Sequence, residues 1–222
     1  MKISVVLPCQ NEEQTIGQCI MEIKKTLKGM DYEIIVSDSS TDKSPEIARR
    51  LGAIVVRHER GYGNAYKEGL KHANGHYIIM GDSDGTYDFS EIPLFLEELQ
   101  KGYDFVIGNR FTGQMQKGSM PMLHKYIGNP FLTWLLNVTH GGSLGDVHCG
   151  FRAIKRDALQ KLDLQSDGME FASEMIIKAL RQGMKIIEIP VSYRRRVGRS
   201  KMRSLRDGWR HVRFITYSRR GA

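Results

Sequence analysis

The stretch His76-Tyr77-Ile78-Ile79-Met80-Gly81-Asp82-Ser83-Asp84-Gly85-Thr86-Tyr87-Asp88 decides how this chain is read. Its apolar start has the character of a fully buried strand. Two carboxylates, one residue apart, follow at the strand's carboxyl end, which is where open α/β sheets bind ligands. A hard cation such as Mg²⁺ or Mn²⁺ takes oxygen ligands, usually one or two carboxylates with substrate phosphates completing the shell. The stretch therefore points to a nucleotide diphosphate held through a divalent cation. A polar turn is the plainer reading, because Asp, Ser and Gly are favoured turn residues. A helix-loop-helix calcium site is excluded: it needs Gly at the sixth loop position and Glu at the twelfth, and here Tyr87 and Pro93 stand there.

Outward from this stretch, apolar runs rich in β-branched residues predict strands over 3–8, 33–38, 53–58, 76–81 and 104–109. Amphipathic segments between them predict helices over 12–28, 45–51, 64–73 and 91–100. Such alternation predicts βαβ units, hence an α/β fold with a mostly parallel central sheet flanked by helices. Residues 111–120, rich in Gly, Gln, Ser and Thr, read as a flexible loop over the site. The apolar stretch 121–137 is interrupted at Gly128-Asn129-Pro130 and reads as a buried helix, or as the lining of a lipid groove. Further strands are expected over 150–155 and 185–193, with a helix over 168–181.

The 222 residues carry 41% hydrophobic and 26% charged residues, ordinary for a globular chain with a substantial core. No run approaches the ~20 apolar residues that span a bilayer, and the start lacks a secretory pattern. Cys9, Cys19 and Cys149 are odd in number and widely spaced, which argues against a disulfide framework or a zinc site. The net charge of +8 is concentrated late: eleven Arg or Lys residues and one acid, Asp207, lie between Arg194 and Arg220. That balance implies an anionic partner: phosphate, nucleic acid or an acidic membrane surface. Over 204–218, Leu205, Trp209, Val212 and Thr216 share one helical face among arginines, the pattern of a helix lying at a membrane interface.

Each strand end offers polar groups to a common crevice. After the first come Pro8-Cys9-Gln10-Asn11-Glu12, with Asn11 reading as a helix N-cap and Glu12 able to accept from a base or ribose. The second ends in Asp38, a carboxylate suited to a base N–H. After the third, Gly61-Tyr62-Gly63 would allow close backbone approach to a ligand.

Together these residues resemble the family 2 glycosyltransferases, and within them the polyprenol-phosphate (dolichol-phosphate mannose or glucose) synthases. The resemblance runs through Val5-Val6-Leu7-Pro8, Asp38-Ser39-Ser40-Thr41-Asp42, Asp82-Ser83-Asp84 and Gly108-Asn109-Arg110. It continues in Asp146-Val147-His148-Cys149-Gly150-Phe151-Arg152 and Arg195-Arg196-Val197-Gly198-Arg199-Ser200-Lys201. It implies a single GT-A-like domain: residues 1–113 hold the nucleotide sugar, 114–203 face the acceptor, and 204–222 form a basic juxtamembrane helix. Asp84 would be the principal metal ligand, with Asp82 at the metal or ribose. Pro8, Asn11, Glu12 and Asp38 would border the nucleoside. Arg110, Arg195, Ser200 and Lys201 would meet the donor diphosphate and the acceptor phosphate, chemistry that suits a planar guanidinium fork and a compact ammonium.

Asp146 would lie nearest the reacting centre. A phosphate acceptor is already ionised at neutral pH, so Asp146 would orient it rather than take a proton. Glu170 and Glu174 are alternative carboxylates, four apart on one helix face.

The chain departs from the family at several points. Only Asp38 stands where relatives have two acids, Thr86 replaces a metal-binding Gln, and His124 or Lys125 replaces an acceptor-loop Arg. The transmembrane helices of many relatives have no counterpart in these residues. The resulting expectation is an inverting, metal-dependent hexosyltransferase acting from a UDP- or GDP-hexose on polyprenyl phosphate, peripheral on the cytoplasmic face of the membrane. The alternatives are a family 2 enzyme with a saccharide hydroxyl acceptor and, more remotely, a basic nucleic-acid-binding protein.

Overall fold

The computed structural model describes residues 2–198 and 204–218. The chain alternates β1 (Lys2–Cys9), α1 (Ile16–Thr26), β2 (Asp31–Asp38), α2 (Ser44–Arg50), β3 (Ile54–Arg57), α3 (Tyr62–Lys71), β4 (Tyr77–Met80), α4 (Ile92–Gln100) and β5 (Phe105–Asn109). There follow α5 (Asn129–His140), β6 (Arg152–Lys155), α6 (Arg156–Gln160), α7 (Phe171–Arg181), β7 (Ile186–Pro190) and α8 (Ser204–Ser218). The strands form one seven-stranded sheet in the order β3-β2-β1-β4-β6-β5-β7. All neighbours are parallel except β6, which runs antiparallel to both β4 and β5.

The central strands are unbroken apolar runs because helices cover both faces of the sheet. Ile3, Val5, Val6 and Leu7 of β1 and Ile78 and Ile79 of β4 are all buried. From β1 the chain steps to β2 and β3 on one side, then returns to place β4 on the other. A crevice opens at such a switch point, outside the carboxyl ends of the strands.

Some local expectations are corrected. The first helix begins at Ile16, not at residue 12. Asn11 does not cap it: its φ is +54°, and its Oδ1 accepts from the Thr41 N–H at 2.8 Å while its own N–H donates to Ser40 Oγ at 2.7 Å. Asn tolerates the left-handed region, and here it ties the loop after β1 to the loop after β2. The Gly61–Gly63 turn brings backbone close to the chain itself rather than to a ligand: a Cβ on Gly63 would lie 2.0 Å from the Ser166 carbonyl oxygen. The loop 111–120 is tied down, with Tyr193 N–H donating to Gln114 O and Gln116 N–H to Tyr193 O.

Residues 121–140 are not a buried helix. A π-helical turn, His124–Gly128, runs into α5, whose Leu132, Thr133 and Leu136 face inward. Met122, Leu123, Tyr126, Ile127, Phe131, Trp134 and Val138 are exposed. On α8 the Trp209 side, read as an interfacial face, is the outward one. His211 and Ile215 are buried, while Trp209 and Thr216 face solvent.

Candidate active site

The carboxyl ends of β1, β2 and β4 bring Pro8, Glu12, Asp38, Asp82 and Asp84 to one crevice. The Pro8 carbonyl accepts from Ser83 Oγ at 2.6 Å, which locks the loop after β1 to the paired aspartates. The Thr15 hydroxyl adds a second tie by donating to the Ser83 carbonyl at 2.7 Å. Asp38 is fully buried; its Oδ2 meets Arg57 at 2.5 Å, while Oδ1 has no hydrogen-bond partner. A buried, unpaired carboxylate oxygen is costly, and a donor N–H from a bound base would relieve it.

Asp84 Oδ1 accepts from the Thr86 N–H at 3.0 Å and the Thr86 hydroxyl at 2.6 Å, leaving Oδ2 to face Arg196 at 3.0 Å. Thr86 thus orients Asp84 instead of offering a ligand. No hydrogen bond to the Asp82 carboxylate is present among the described residues. Burial, and then the charge of Asp84, push Asp82 up to about 7, against the pull of Arg196, Arg110 and Arg152. Two crowded carboxylates, one without a donor, suit a divalent cation, which would return Asp82 to its ionised form. Among the described residues no three His, Cys, Asp or Glu side chains are grouped to hold a metal. The protein would supply one or two ligands and the substrate phosphates the rest, the usual Mg²⁺ or Mn²⁺ arrangement.

The second half of the site is an ion pair. Arg110 Nε donates to Asp146 Oδ2 at 2.7 Å and its Nη2 to Oδ1 at 2.8 Å, with the Arg110 N–H at 3.2 Å from Oδ2. Asp146 is completely buried and Arg110 nearly so. Burial works against the Arg110 cation, but Asp146 outweighs it and holds the guanidinium charged. Asn109 sets this geometry by accepting from the N–H groups of Phe111 and Thr112. Glu188 of β7 receives the N–H groups of Gly145 and Asp146 at 2.6 and 2.7 Å. Arg110 also lies over the Tyr193 ring, 5.2 Å from its centroid. Arg152 is buried and donates to the carbonyls of Cys149, Val147 and Ala172, so it shapes the 146–152 turn from behind.

Of the alternative carboxylates, Glu174 is committed. It accepts from the N–H groups of Gln165 and Ser166, and Lys178 lies 2.8 Å away. Burial alone would raise it; Lys178 and those two N–H groups hold it below the usual range. Glu170 pairs with Arg210 of α8 at 2.5 Å. Arg195 is exposed, with its N–H on Gln116 Oε1. Ser200 and Lys201 lie outside the described residues.

The family model for glycosyl transferase family 2 matches residues 4–163, most of the chain and all of the strand ends just described except the segment after β7. This chain belongs to that family. Among curated family 2 relatives, the low-salt glycan biosynthesis hexosyltransferase Agl6 of Haloferax volcanii is 47% identical over 217 residues, 96% of this chain and 52% of that protein. The chain therefore spans about half the length of this relative. A dolichyl-phosphate hexose transferase of the same organism is 32% identical, across 90% of this chain and 86% of its own. Among solved structures, the glucosyl-3-phosphoglycerate synthase of Mycobacterium tuberculosis, in complex with Mn²⁺, UDP and glucosyl-3-phosphoglycerate, superposes with a TM-score of 0.79. It is 26% identical, over 98% of this chain and 79% of that one. The same enzyme has been seen with Mn²⁺, UDP-glucose and phosphoglyceric acid. The GT-A-like fold is thus confirmed.

Several residues of this family 2 site escaped the sequence. Glu188 looked like an ordinary strand residue, and Arg196 one basic residue among many. Tyr62 and Tyr87 were given no role of their own, yet their hydroxyls lie where a Cβ on Gly150 would meet them at 3.1 and 3.2 Å, beside Asp82. The chain reversal at β6, which is invisible locally, brings Gly150 to Asp82 and Tyr87.

Proposed function

We propose that this chain transfers a hexose, with inversion, from a nucleotide diphosphate sugar to a polyprenyl phosphate at a membrane surface. The reading is carried by one observation: two crowded carboxylates, Asp82 and Asp84, at the switch point of the sheet, one of them without a donor. Asp84, with Asp82, would hold a divalent cation, whose charge stabilises the leaving diphosphate. Asp38, with an unpaired oxygen, would accept from the base, and Glu12, Pro8 and Asn11 would border the nucleoside. Arg195, Ser200 and Lys201 are assigned to phosphate contact by the motif they share with the polyprenol-phosphate synthases.

The acceptor is argued from Asp146. A saccharide hydroxyl needs a general base, and both oxygens of Asp146 already receive hydrogen bonds from Arg110. A phosphomonoester needs no base, because it is ionised at neutral pH. Asp146 and Arg110 then act as a fixed charge pair that orients the acceptor and offsets charge at the reacting carbon. The exposed apolar side of α5 and the basic α8 support an acceptor presented at a lipid surface. No helix among the described residues is long and apolar enough to cross a membrane. These two helices, α5 and α8, would meet the bilayer at its surface, and a nucleotide sugar donor favours the cytoplasmic face.

Two measurements test this. Melting of wild type and Asp84→Ala with UDP or GDP, each with and without Mn²⁺, should show a cation-dependent rise with one nucleotide only. Saturation at about 100 times Kd corresponds to about 2.7 kcal/mol, and the rise should vanish in Asp84→Ala. Transfer of labelled hexose to short-chain polyprenyl phosphate, but not to sugar hydroxyls, should follow. Transfer to hydroxyls alone would overturn the acceptor assignment.

A further inference from the structure

Arg196 lies inside the Arg-x-x-Gly-x-Ser-Lys pattern, at a position the pattern leaves unspecified. After β7 the chain bridges to the loop that follows β4. Tyr193 pairs with Tyr87, and Arg194 donates its N–H to the Thr86 carbonyl at 2.7 Å. Arg194 is further fixed by Asp88 at 2.5 Å and Glu22 at 3.2 Å. This anchor, two residues upstream, drops the Arg196 guanidinium between the loops that follow β1 and β4. Its Nη2 lies 2.5 Å from Glu12 Oε1 and its Nη1 3.0 Å from Asp84 Oδ2. Its Nε is buried without a hydrogen-bond partner. A side chain evolved to rest there would satisfy that donor, because a buried unpaired N–H is costly. The position is electrostatically favoured and geometrically incomplete.

We infer that Arg196 is an exchangeable counter-ion: it neutralises Glu12 and Asp84 while the site is empty and must leave Asp84 for a divalent cation to bind. The inference rests on the assignment of Asp84 as a metal ligand. Cation and guanidinium compete for the same carboxylate oxygen, so the open form is a minority and the apparent cation affinity falls by that fraction. Only Asp84 is contested; Glu12 keeps Arg196 nearby when the exchange occurs, so the cation is not repelled by a guanidinium aimed into its shell.

The test uses Mn²⁺ alone, without nucleotide, followed through the paramagnetic resonance signal of free Mn²⁺. Wild type, Arg196→Ala and Arg196→Lys are compared. Arg196→Ala should bind Mn²⁺ about tenfold tighter than wild type, as expected if about a tenth of the wild type is open; Arg196→Lys should fall between. Equal or weaker binding by Arg196→Ala overturns the inference. A second arm needs no metal. In EDTA, the urea midpoints of wild type, Arg196→Ala, Asp84→Asn and the double variant form a cycle. A favourable coupling between the two sites is expected; additivity overturns the contact. Absence of Mn²⁺ binding in all variants overturns both this inference and the metal assignment. Tighter binding by Arg196→Ala with no response to UDP or GDP would sink the donor reading alone.

Discussion

A methyl group on Gly150 would stand 2.9 Å from Asp82 Oδ2 and within 3.2 Å of two tyrosine hydroxyls, so the residue is fixed by what surrounds it. Gly150→Ala should displace Asp82 and weaken Mn²⁺ binding about tenfold with little loss of melting temperature, a split that calorimetry and metal titration together would resolve. The Arg110–Asp146 pair behaves differently. Removing one partner of a buried pair strands the other and costs about 3–5 kcal/mol, whereas removing both costs less. Urea denaturation of Asp146→Asn, Arg110→Met and the double variant should show the double as more stable than either single; simple additivity would contradict a paired burial. Asp38, Asp82 and Asp84 were legible because each stands at or just past a strand end predictable from apolar runs; Asp146, in the turn before β6, was legible only through the family resemblance. Glu188 and Arg196 were not, because their partners are 42 and more residues away in sequence and chosen by topology alone.

At the scale of elements, the strand and helix order was readable because β1 and β4 are buried on both faces and read as unbroken apolar runs. The errors fall where tertiary contacts override local chemistry. Asn11 had the signature of a cap, but bonds to Ser40 and Thr41 pull it into a turn. On α8 periodicity picked out the outward Trp209 and Thr216 but not the packed side, where the decisive contact is polar. His211 Nδ1 lies 2.7 Å from Ser173 Oγ of α7 and 3.2 Å from Nε2 of His148, in the turn that carries Asp146. Burial, then the neighbouring His211, Arg152 and Arg110, hold His148 well below its ordinary value. The folded state therefore refuses a proton that the unfolded chain accepts near pH 6.5. Stability is unaffected above that pH and declines as pH falls below it. His148→Asn should flatten the fall in melting temperature between pH 7.5 and 5.5 relative to wild type, read by calorimetry; an unchanged slope would assign the acid sensitivity elsewhere.

Across the whole molecule, apolar exposure gathers on α5 and the turn before it, and basic charge on the neighbouring α8. α5 packs against α8 and α7 on its inner side, leaving Phe131, Trp134 and Val138 outward, continuous with Tyr126 and Ile127 of the preceding turn. Trp209 is 69% and Tyr217 61% exposed on α8, with Arg213 over the Tyr217 ring at 5.5 Å. Lys125 lies over Tyr126 in the same manner at 5.4 Å. Single exposed apolar residues are ordinary, but a contiguous set flanked by cations marks an interaction surface. Bilayer binding would combine two terms: burial of the aromatic side chains and attraction of Lys and Arg to anionic lipid, about 1 kcal/mol per cation near the surface. The terms separate by salt. Phe131→Ser with Trp134→Ser should lower sedimentation with phosphatidylglycerol vesicles at every ionic strength, whereas Arg213→Gln should matter at low salt and fade above about 0.5 M, where screening is strong. Vesicles of phosphatidylcholine alone should retain the first effect and lose the second. If neither substitution changes binding, the two helices are not the membrane face, and polyprenyl phosphate would have to reach Arg110 and Asp146 by another side of the molecule.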